Sequence, residues 1–287
     1  MSAIIKLVQG TPEWHAHRAN YRNASETAAV MGASPWQTPY QLWALRTGRA
    51  RQVVTPAMSR GTALEPQARL AYEALTGNIM QPLVLVEGDY SASLDGLTFD
   101  GSLIVEIKCP VKGADSVLWK SVAAGEVPEY YGWQIEHQLM VSGASLAHLY
   151  VFDDGEGLLR EVPPQPERWQ AIQAAWDTFM RCIATDIPPE LTERDKVVRK
   201  DVTWQAAAEV YLDLKRQAES LTTLVDEAKE KLVGLASHPS ESGAGVTVTR
   251  YWKQGSVDYK KVPELKGVDL NAYRGAGREE VRVTVGK

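Results

Sequence analysis

Cysteine is nearly absent from this chain: Cys109 and Cys182 are the only two in 287 residues. Two thiols cannot build a disulfide framework, a four-cysteine zinc site or an iron–sulfur cluster, and they fit a reducing compartment. Long apolar runs are missing too. No stretch approaches the length needed to span a bilayer, and Met1 to Gly10 has a short apolar patch but no cleavage-site pattern, which argues against a signal peptide. Histidine is sparse and scattered. His15, His17 and His137 have no clustered partners, so structural or solvated roles are expected of them rather than zinc ligation. No internal repeat points to a solenoid. What is present is ordinary for a globular protein: 44% hydrophobic and 23% charged residues, in a length suiting one large domain or a domain with an appendage.

The net charge of −5 is unevenly spread. Residues 1–70 carry eight Lys/Arg against three Asp/Glu, and residues 246–287 carry nine against five, which leaves an acidic middle of fourteen against twenty-eight. Such segregation suits a positive binding surface on an acidic body, because phosphates feel local charge within a Debye length. Scattered solvated charge gives the same totals, so composition alone leaves both readings open.

Patterning divides the chain. A short helix is expected from the Asn23–Ser25 cap to Gly32, another over 38–47, and a longer amphipathic one from Met58 to Leu75 before Gly77. Short β-rich runs follow at 83–86, 91–94 and 103–108, then helical patterns at 113–124 and 128–142. A strand pair at 147–152 and 158–162 and a helix over 166–184 complete the core. This order predicts an α/β (α+β) fold, a central mixed β-sheet flanked by helices. Beyond Pro189 the character changes. Tyr211, Leu214, Ala218, Leu221, Val225, Ala228, Leu232 and Leu235 follow a heptad seam, Ser237 to Gly245 reads as a break, and Val246–Trp252 and Val281–Val285 alternate like strands. The division predicted is therefore a core over 1–189 and an extension over 190–287, a long helix plus a small β element. That helix either packs on its own core or serves as a docking arm or oligomer contact.

The chemistry concentrates in Ser93-Leu-Asp95-Gly and Glu106-Ile-Lys108-Cys-Pro. In a strand, residues two apart share a face, so Glu106 and Lys108 project together while Ile107 enters the core. Asp95, at the end of the preceding strand, is placed to lie beside Glu106. Two hard carboxylates suit Mg²⁺, with water and phosphate oxygens completing the octahedron. Lys108 can hold a water in line and offset phosphoryl charge. Alone, Glu-x-Lys is a common solvated sheet pattern and Asp-Gly a common turn. Their combination points to phosphodiester hydrolysis.

This combination resembles the PD-(D/E)xK nuclease superfamily, and within it the lambda-exonuclease/YqaJ viral recombinase group. Glu13-Trp14-His-Ala-His-Arg18 with Asn23-Ala-Ser25, Gly61-Thr-Ala-Leu-Glu65-Pro, and Tyr131-Gly-Trp-Gln134-Ile-Glu136-His-Gln138-Leu-Met are similar to further elements of that group in the same order, over about residues 10–180. The resemblance implies a restriction-endonuclease-like fold and catalytic residues Asp95, Glu106, Lys108, Glu65 and Glu136. It implies a metal site of Asp95, Glu106, the Ile107 backbone carbonyl and Glu65, taking Mg²⁺ with Mn²⁺ as a substitute. It also places Arg18, Ser25, Ser93, Lys112 and Gln134 on DNA, the first three at the terminal 5′-phosphate. Leu94 stands where the group has proline, and Glu136 where the lambda sequence has glutamine.

The activity implied is 5′-to-3′ digestion of linear double-stranded DNA ends, leaving 3′ single strands for an annealing protein. The resemblance further implies a homo-oligomer, a ring-shaped trimer, acting without a membrane in the cytoplasm of a bacterial host and of phage or prophage origin. Two other readings stand beside it: a same-fold structure-specific or restriction-type endonuclease, and a non-catalytic DNA-end-binding recombination scaffold. Arg18 also reads as a surface cation, Glu65 as a first-turn acid facing a helix dipole, and Gln134 and Gln138 as surface amides sharing a helical face.

Overall fold

The computed structural model describes residues 2–8, 10–256, 258–268 and 273. The chain starts with a short strand, β1 (Ala3–Ile5), and helix α1 (Pro12–Asn20). The Thr11 side chain caps α1 by accepting the Trp14 N–H, and Pro12 supplies a preset φ at the first turn. A two-residue strand β2 (Arg22–Asn23), a 3-10 turn over Ala24–Glu26 and α2 (Thr27–Val30) follow. Helix α3 (Pro39–Arg46) opens with a Thr38–Gln41 capping box. Helix α4 (Pro56–Thr76) ends at Gly77, where φ is +73°.

Then come the strands β3 (Gln81–Glu87), β4 (Tyr90–Leu97) and β5 (Leu103–Lys108), the helices α5 (Val117–Ala123) and α6 (Glu129–Ser142), the hairpin β6 (Leu146–Asp153) and β7 (Glu156–Val162), and α7 (Pro166–Thr185). The sheet order is β1-β3-β4-β5-β6-β7, with β2 beside β4. Most neighbours are antiparallel. β5 and β6 run parallel, and α5 and α6 form the crossover between them. The mixed sheet flanked by helices is as the sequence predicted.

Alternation in β5 sets the layers. Leu103, Val105 and Ile107 join Ala68 and Tyr72 of α4 in one buried cluster, while Ile104 joins Leu118, Ile135 and Leu139 of α5 and α6 in another. Glu106 and Lys108 share the parity of Ile104 and so lie on the α6 side. Ala92 and Leu94 of β4 point the same way. Ser91 and Ser93 face the other layer, where His17 and Trp14 of α1 meet them.

One irregularity is decisive. Gln81 pairs with Leu97 but Leu83 with Leu94, so β4 carries an extra residue at Asp95-Gly96. That is a β-bulge, which turns a side chain away from strict alternation. The expected strand at 91–94 therefore continues through Asp95 instead of ending before it. The expected helix at 113–124 is likewise divided into a 3-10 turn, Gly113–Asp115, and α5.

Contacts separate two units, Met1–Lys196 and Val197–Lys287. The first extends past Pro189 because Arg194 donates to the Ser34 and Pro35 carbonyls and Thr38 donates to Asp195. In the second, α8 (Val202–Leu235) carries the heptad seam, and a hairpin of β8 (Ser240–Gly243) and β9 (Val246–Thr249) follows. The segment expected as a break thus holds β8, while the strand expected at 281–285 lies outside the described residues. Among the described residues no helix is long and apolar enough to cross a membrane.

Candidate active site

The pairing of β4 with β5 covers Gly96↔Val105 and Leu97↔Ile104, and the next pair outward is Asp95 and Glu106. There the ladder gives way to side-chain bonding. Asp95 Oδ2 accepts the Ile107 N–H at 2.8 Å. Gly96 makes the bulge possible, because a Cβ there would stand 2.6 Å from Met80 Cβ and 2.8 Å from Val105 Cγ1.

Glu106 is 2% exposed and fully engaged. Oε1 accepts from Lys108 Nζ and, at 2.7 Å, from Gln134 Nε2; Oε2 accepts from Gln138 Nε2 at 2.5 Å. Lys108 Nζ also sits 5.1 Å over the Tyr131 ring. Burial works against the charge on Lys108, but Glu106, Tyr131 and Asp95 outweigh it and raise its pKa. Asp95 is shifted well above the usual carboxylate range. Burial is the main cause and Glu106 the next, with Glu65 adding to it; Lys108 and the Ile107 N–H oppose. Two carboxylates are thus pressed together beside one ammonium group, and a cation would relieve their repulsion.

Sequence-predicted residues divide into those gathered here and those placed elsewhere. Asp95, Glu106, Lys108 and Gln134 meet. Glu65, on α4, is close enough to act on Asp95 and pairs with Arg69 at 2.9 Å. Glu136 does not join them. Gln134 and Gln138 are one helical turn apart and face Glu106, whereas Glu136 lies roughly 200° around the helix from Gln134. Its Oε2 accepts the Gln165 N–H at 3.1 Å and the Trp169 indole N–H at 3.0 Å. The expectation of a catalytic Glu136 is corrected accordingly: it anchors α7 to α6, and burial raises its pKa.

Arg18, Ser25 and Ser93 form a second group. Arg18 donates to Ser25 Oγ at 3.0 Å and pairs with Glu26 at 3.2 Å. Burial lowers its pKa while Glu26 supports the charge. The guanidinium lies 4.7 Å over the Trp14 ring, and Trp14 Nε1 donates to Ser93 Oγ at 3.1 Å. Ser93 is two residues from Asp95, so this group adjoins the carboxylates along β4. Lys112 stands apart, exposed on the turn leading into Gly113–Asp115. His137 is buried with Nδ1 2.6 Å from Thr27 Oγ1, a place in the core.

Three participants belong to the motifs but are given no site role from the sequence. Gln138 holds the inner oxygen of Glu106; its place in the Gln-rich motif and its four-residue spacing from Gln134 are the signals for it. Tyr131 contacts Lys108, and Trp14 links Arg18, one helical turn away, to Ser93 on a distant strand.

The donor set suits a hard cation. Among the described residues no three His, Cys, Asp or Glu side chains gather in metal-holding geometry. Asp95 and Glu106, with Glu65 nearby, supply what Mg²⁺ ordinarily takes from a protein: one or two carboxylates, the remaining positions being water or phosphate.

Fold and cluster together are similar to the PD-(D/E)xK arrangement that the sequence resembles. Comparison narrows this: residues 13–145 match the family model of the YqaJ-like viral recombinase domain. The fold is similar to that of an alkaline exonuclease, LHK-Exo from Laribacter hongkongensis, at 25% identity and a TM-score of 0.54, covering 62% of this chain and 94% of that one. LHK-Exo in complex with dAMP gives 26% identity and a TM-score of 0.53 over the same shares. An uncharacterized protein, YqaJ of Bacillus subtilis (strain 168), is 26% identical over 145 residues, 48% of this chain. The match spans 44% of that relative's length, less than half.

Proposed function

We propose that this protein is a metal-dependent exonuclease that digests linear double-stranded DNA from 5′ ends and leaves 3′ single strands for annealing-type recombination. The observation that carries the reading is the convergence of Asp95, Glu106 and Lys108 at the bulged end of β4 and β5. The similarity to alkaline exonucleases supports it, and the dAMP held by one LHK-Exo structure supports a nucleotide-sized product.

In this reading Asp95, Glu106 and the Ile107 carbonyl hold a Mg²⁺ ion, with Mn²⁺ as a substitute and Glu65 beside it. When bound, the ion supplies an activated water and offsets phosphoryl charge. Lys108 keeps its proton and orients the attacking water toward phosphorus. Gln134 and Gln138 fix the Glu106 carboxylate so that its oxygens do not rotate away. Arg18 and Ser25, with Ser93 beyond Trp14, receive the terminal 5′-phosphate, whose extra charge favours a guanidinium fork. Lys112 adds charge for the DNA backbone.

The assignment extends to the whole molecule: a nuclease core through about residue 189, an extension beyond it, a ring-shaped homotrimer, an annealing partner, and action in the cytoplasm of a bacterial host by a protein of phage or prophage origin. The test is digestion of linear duplexes carrying 5′-phosphate, 5′-hydroxyl or closed ends, with and without Mg²⁺. Mg²⁺-dependent release of nucleotides from 5′-phosphorylated ends, lost in Asp95→Ala and Lys108→Ala proteins that still fold, is expected. Cleavage of covalently closed DNA would favour an endonuclease, and metal-independent binding without cleavage a scaffold.

A further inference from the structure

Beside Lys108 lies an aromatic group that the chemistry above does not use. Trp36, Tyr130 and Tyr131 pack together, with Trp36 at 4.9 Å from Tyr130 and 6.0 Å from Tyr131, and the two tyrosines 4.5 Å apart. Tyr131 is the ring under the Lys108 ammonium. The group therefore continues directly from the catalytic lysine to the surface. Its outer member is open: Trp36 is 66% exposed.

The turn that bears this exposed indole is tied down at several points. Ser34 Oγ accepts the backbone N–H of both Trp36 and Gln37 at 3.2 Å. Arg194 donates to the Ser34 carbonyl at 2.6 Å and to that of Pro35 at 2.8 Å. Thr38, two residues on, caps α3 and donates to Asp195 at 2.5 Å. Pro35 further restricts the turn. The fold thus holds a large flat apolar surface rigidly in water, one ring away from the reacting position, which is how a stacking partner is preorganised.

We propose that Trp36, backed by Tyr130 and Tyr131, is a stacking platform for an unpaired nucleobase of the strand whose phosphate lies at Lys108. This rests on the nuclease reading and names the part of the substrate that the reading leaves unassigned. A base has two π-faces and no fixed charge, so an aromatic surface grips it without regard to sequence. Gripping the base pulls the end of the strand out of the duplex and presents its phosphate to the carboxylates. The recognised feature is an aromatic base, not a phosphate.

The test crosses two changes in the full-length protein. Duplexes with a normal or an abasic 5′-terminal nucleotide are measured for binding by anisotropy without metal and for digestion with Mg²⁺. Each is tried with the wild-type protein and with Trp36→Ala, Trp36→Phe and Trp36→Leu. Trp36→Ala should weaken binding of the normal end and raise KM by about 10-fold, with kcat changed far less. Against the abasic end, wild type and Trp36→Ala should be equal. Trp36→Phe should restore most of the difference and Trp36→Leu should not, which separates stacking from plain apolar contact.

If wild type and Trp36→Ala differ equally on both ends, or Leu rescues as well as Phe, the platform is overturned while digestion by the wild type leaves the nuclease standing. If the wild type shows the base-dependent difference in binding but digests nothing, the nuclease reading fails and the platform remains. If it neither binds nor digests, both fall.

Discussion

At the scale of single residues, the site depends on how one carboxylate is held. Glu106 is buried, and three nitrogen donors from Lys108, Gln134 and Gln138 fix it. Gln138 is the buried one of the two amides, with its own Oε1 unpartnered. Removing that amide leaves a buried carboxylate oxygen unbonded and free to turn. In Gln138→Ala, affinity for Mg²⁺ and kcat should each fall by ~10–100-fold, as is usual when a group that orients a metal ligand is lost. Stability should drop by about 1–3 kcal/mol. Ion titration by calorimetry and steady-state digestion read the two effects. Unchanged ion affinity would mean that Glu106 does not hold the metal.

A second residue reports on the core. Burial lowers the pKa of His137 from 6.5 to about 3. The folded chain keeps this ring neutral while the unfolded chain takes up a proton below 6.5. Stability from this source is therefore complete above pH 6.5 and drains as pH falls toward 3, at ~1.4 kcal/mol per pH unit. His137→Gln should be less stable at neutral pH and show a flatter profile. Urea unfolding at pH 7.5, 5.5 and 4.5 measures it; a constant gap between the two proteins across that range would refute it.

At the scale of elements, the bulge in β4 aims the chemistry. Gly96→Ala forces a methyl against Met80 and Val105, and neither contact is at the free end of a flexible chain. Overpacking of this kind costs ~1–3 kcal/mol. The larger effect should be on activity, because relieving the clash moves Asp95. A loss of kcat beyond 10-fold with a stability loss inside that range is expected from denaturant midpoints and digestion rates.

The sequence made β5 legible, because Leu-Ile-Val and Ile107 alternate with Glu106 and Lys108 in a strand-forming run. It also made α6 legible as a helical pattern over 128–142, on which Gln134 and Gln138 share a face. It could not show the bulge, whose existence depends on how β4 pairs with β3. Nor could it orient Glu136: the acid's place in the motif suggested the site, while helical geometry turned it toward Trp169. The strand β8 was hidden by its Ser, Glu and Gly composition, which ordinarily marks loops.

At the scale of the whole molecule, the two units part after Lys196, seven residues beyond the predicted end of the core at Pro189. No local pattern marks those residues as part of the core. Their role is tertiary: Asp195 reaches Thr38 across 157 positions of chain, and Arg194 reaches Ser34 across 160. Two truncations separate a tether from a structural clamp. A chain ending at Lys196 keeps all of these bonds and should match the full protein in unfolding midpoint for the core, in digestion rate, and in preference for a normal over an abasic end.

A chain ending at Pro189 loses Arg194 and Asp195. The Ser34 and Pro35 carbonyls can then bond water, so the stability cost should be modest, about 1–3 kcal/mol in urea unfolding. Its preference for the normal end should shrink toward that of Trp36→Ala, because the turn bearing the indole is no longer fixed and stacking must bear the cost of ordering it. The two truncated chains should keep similar digestion rates at saturating DNA, since Asp95, Glu106 and Lys108 lie on strands that neither truncation touches. Equal end preference in both would show that the Trp36 turn holds itself. A loss of saturated rate only in the shorter chain would show instead that Arg194 and Asp195 support the carboxylates.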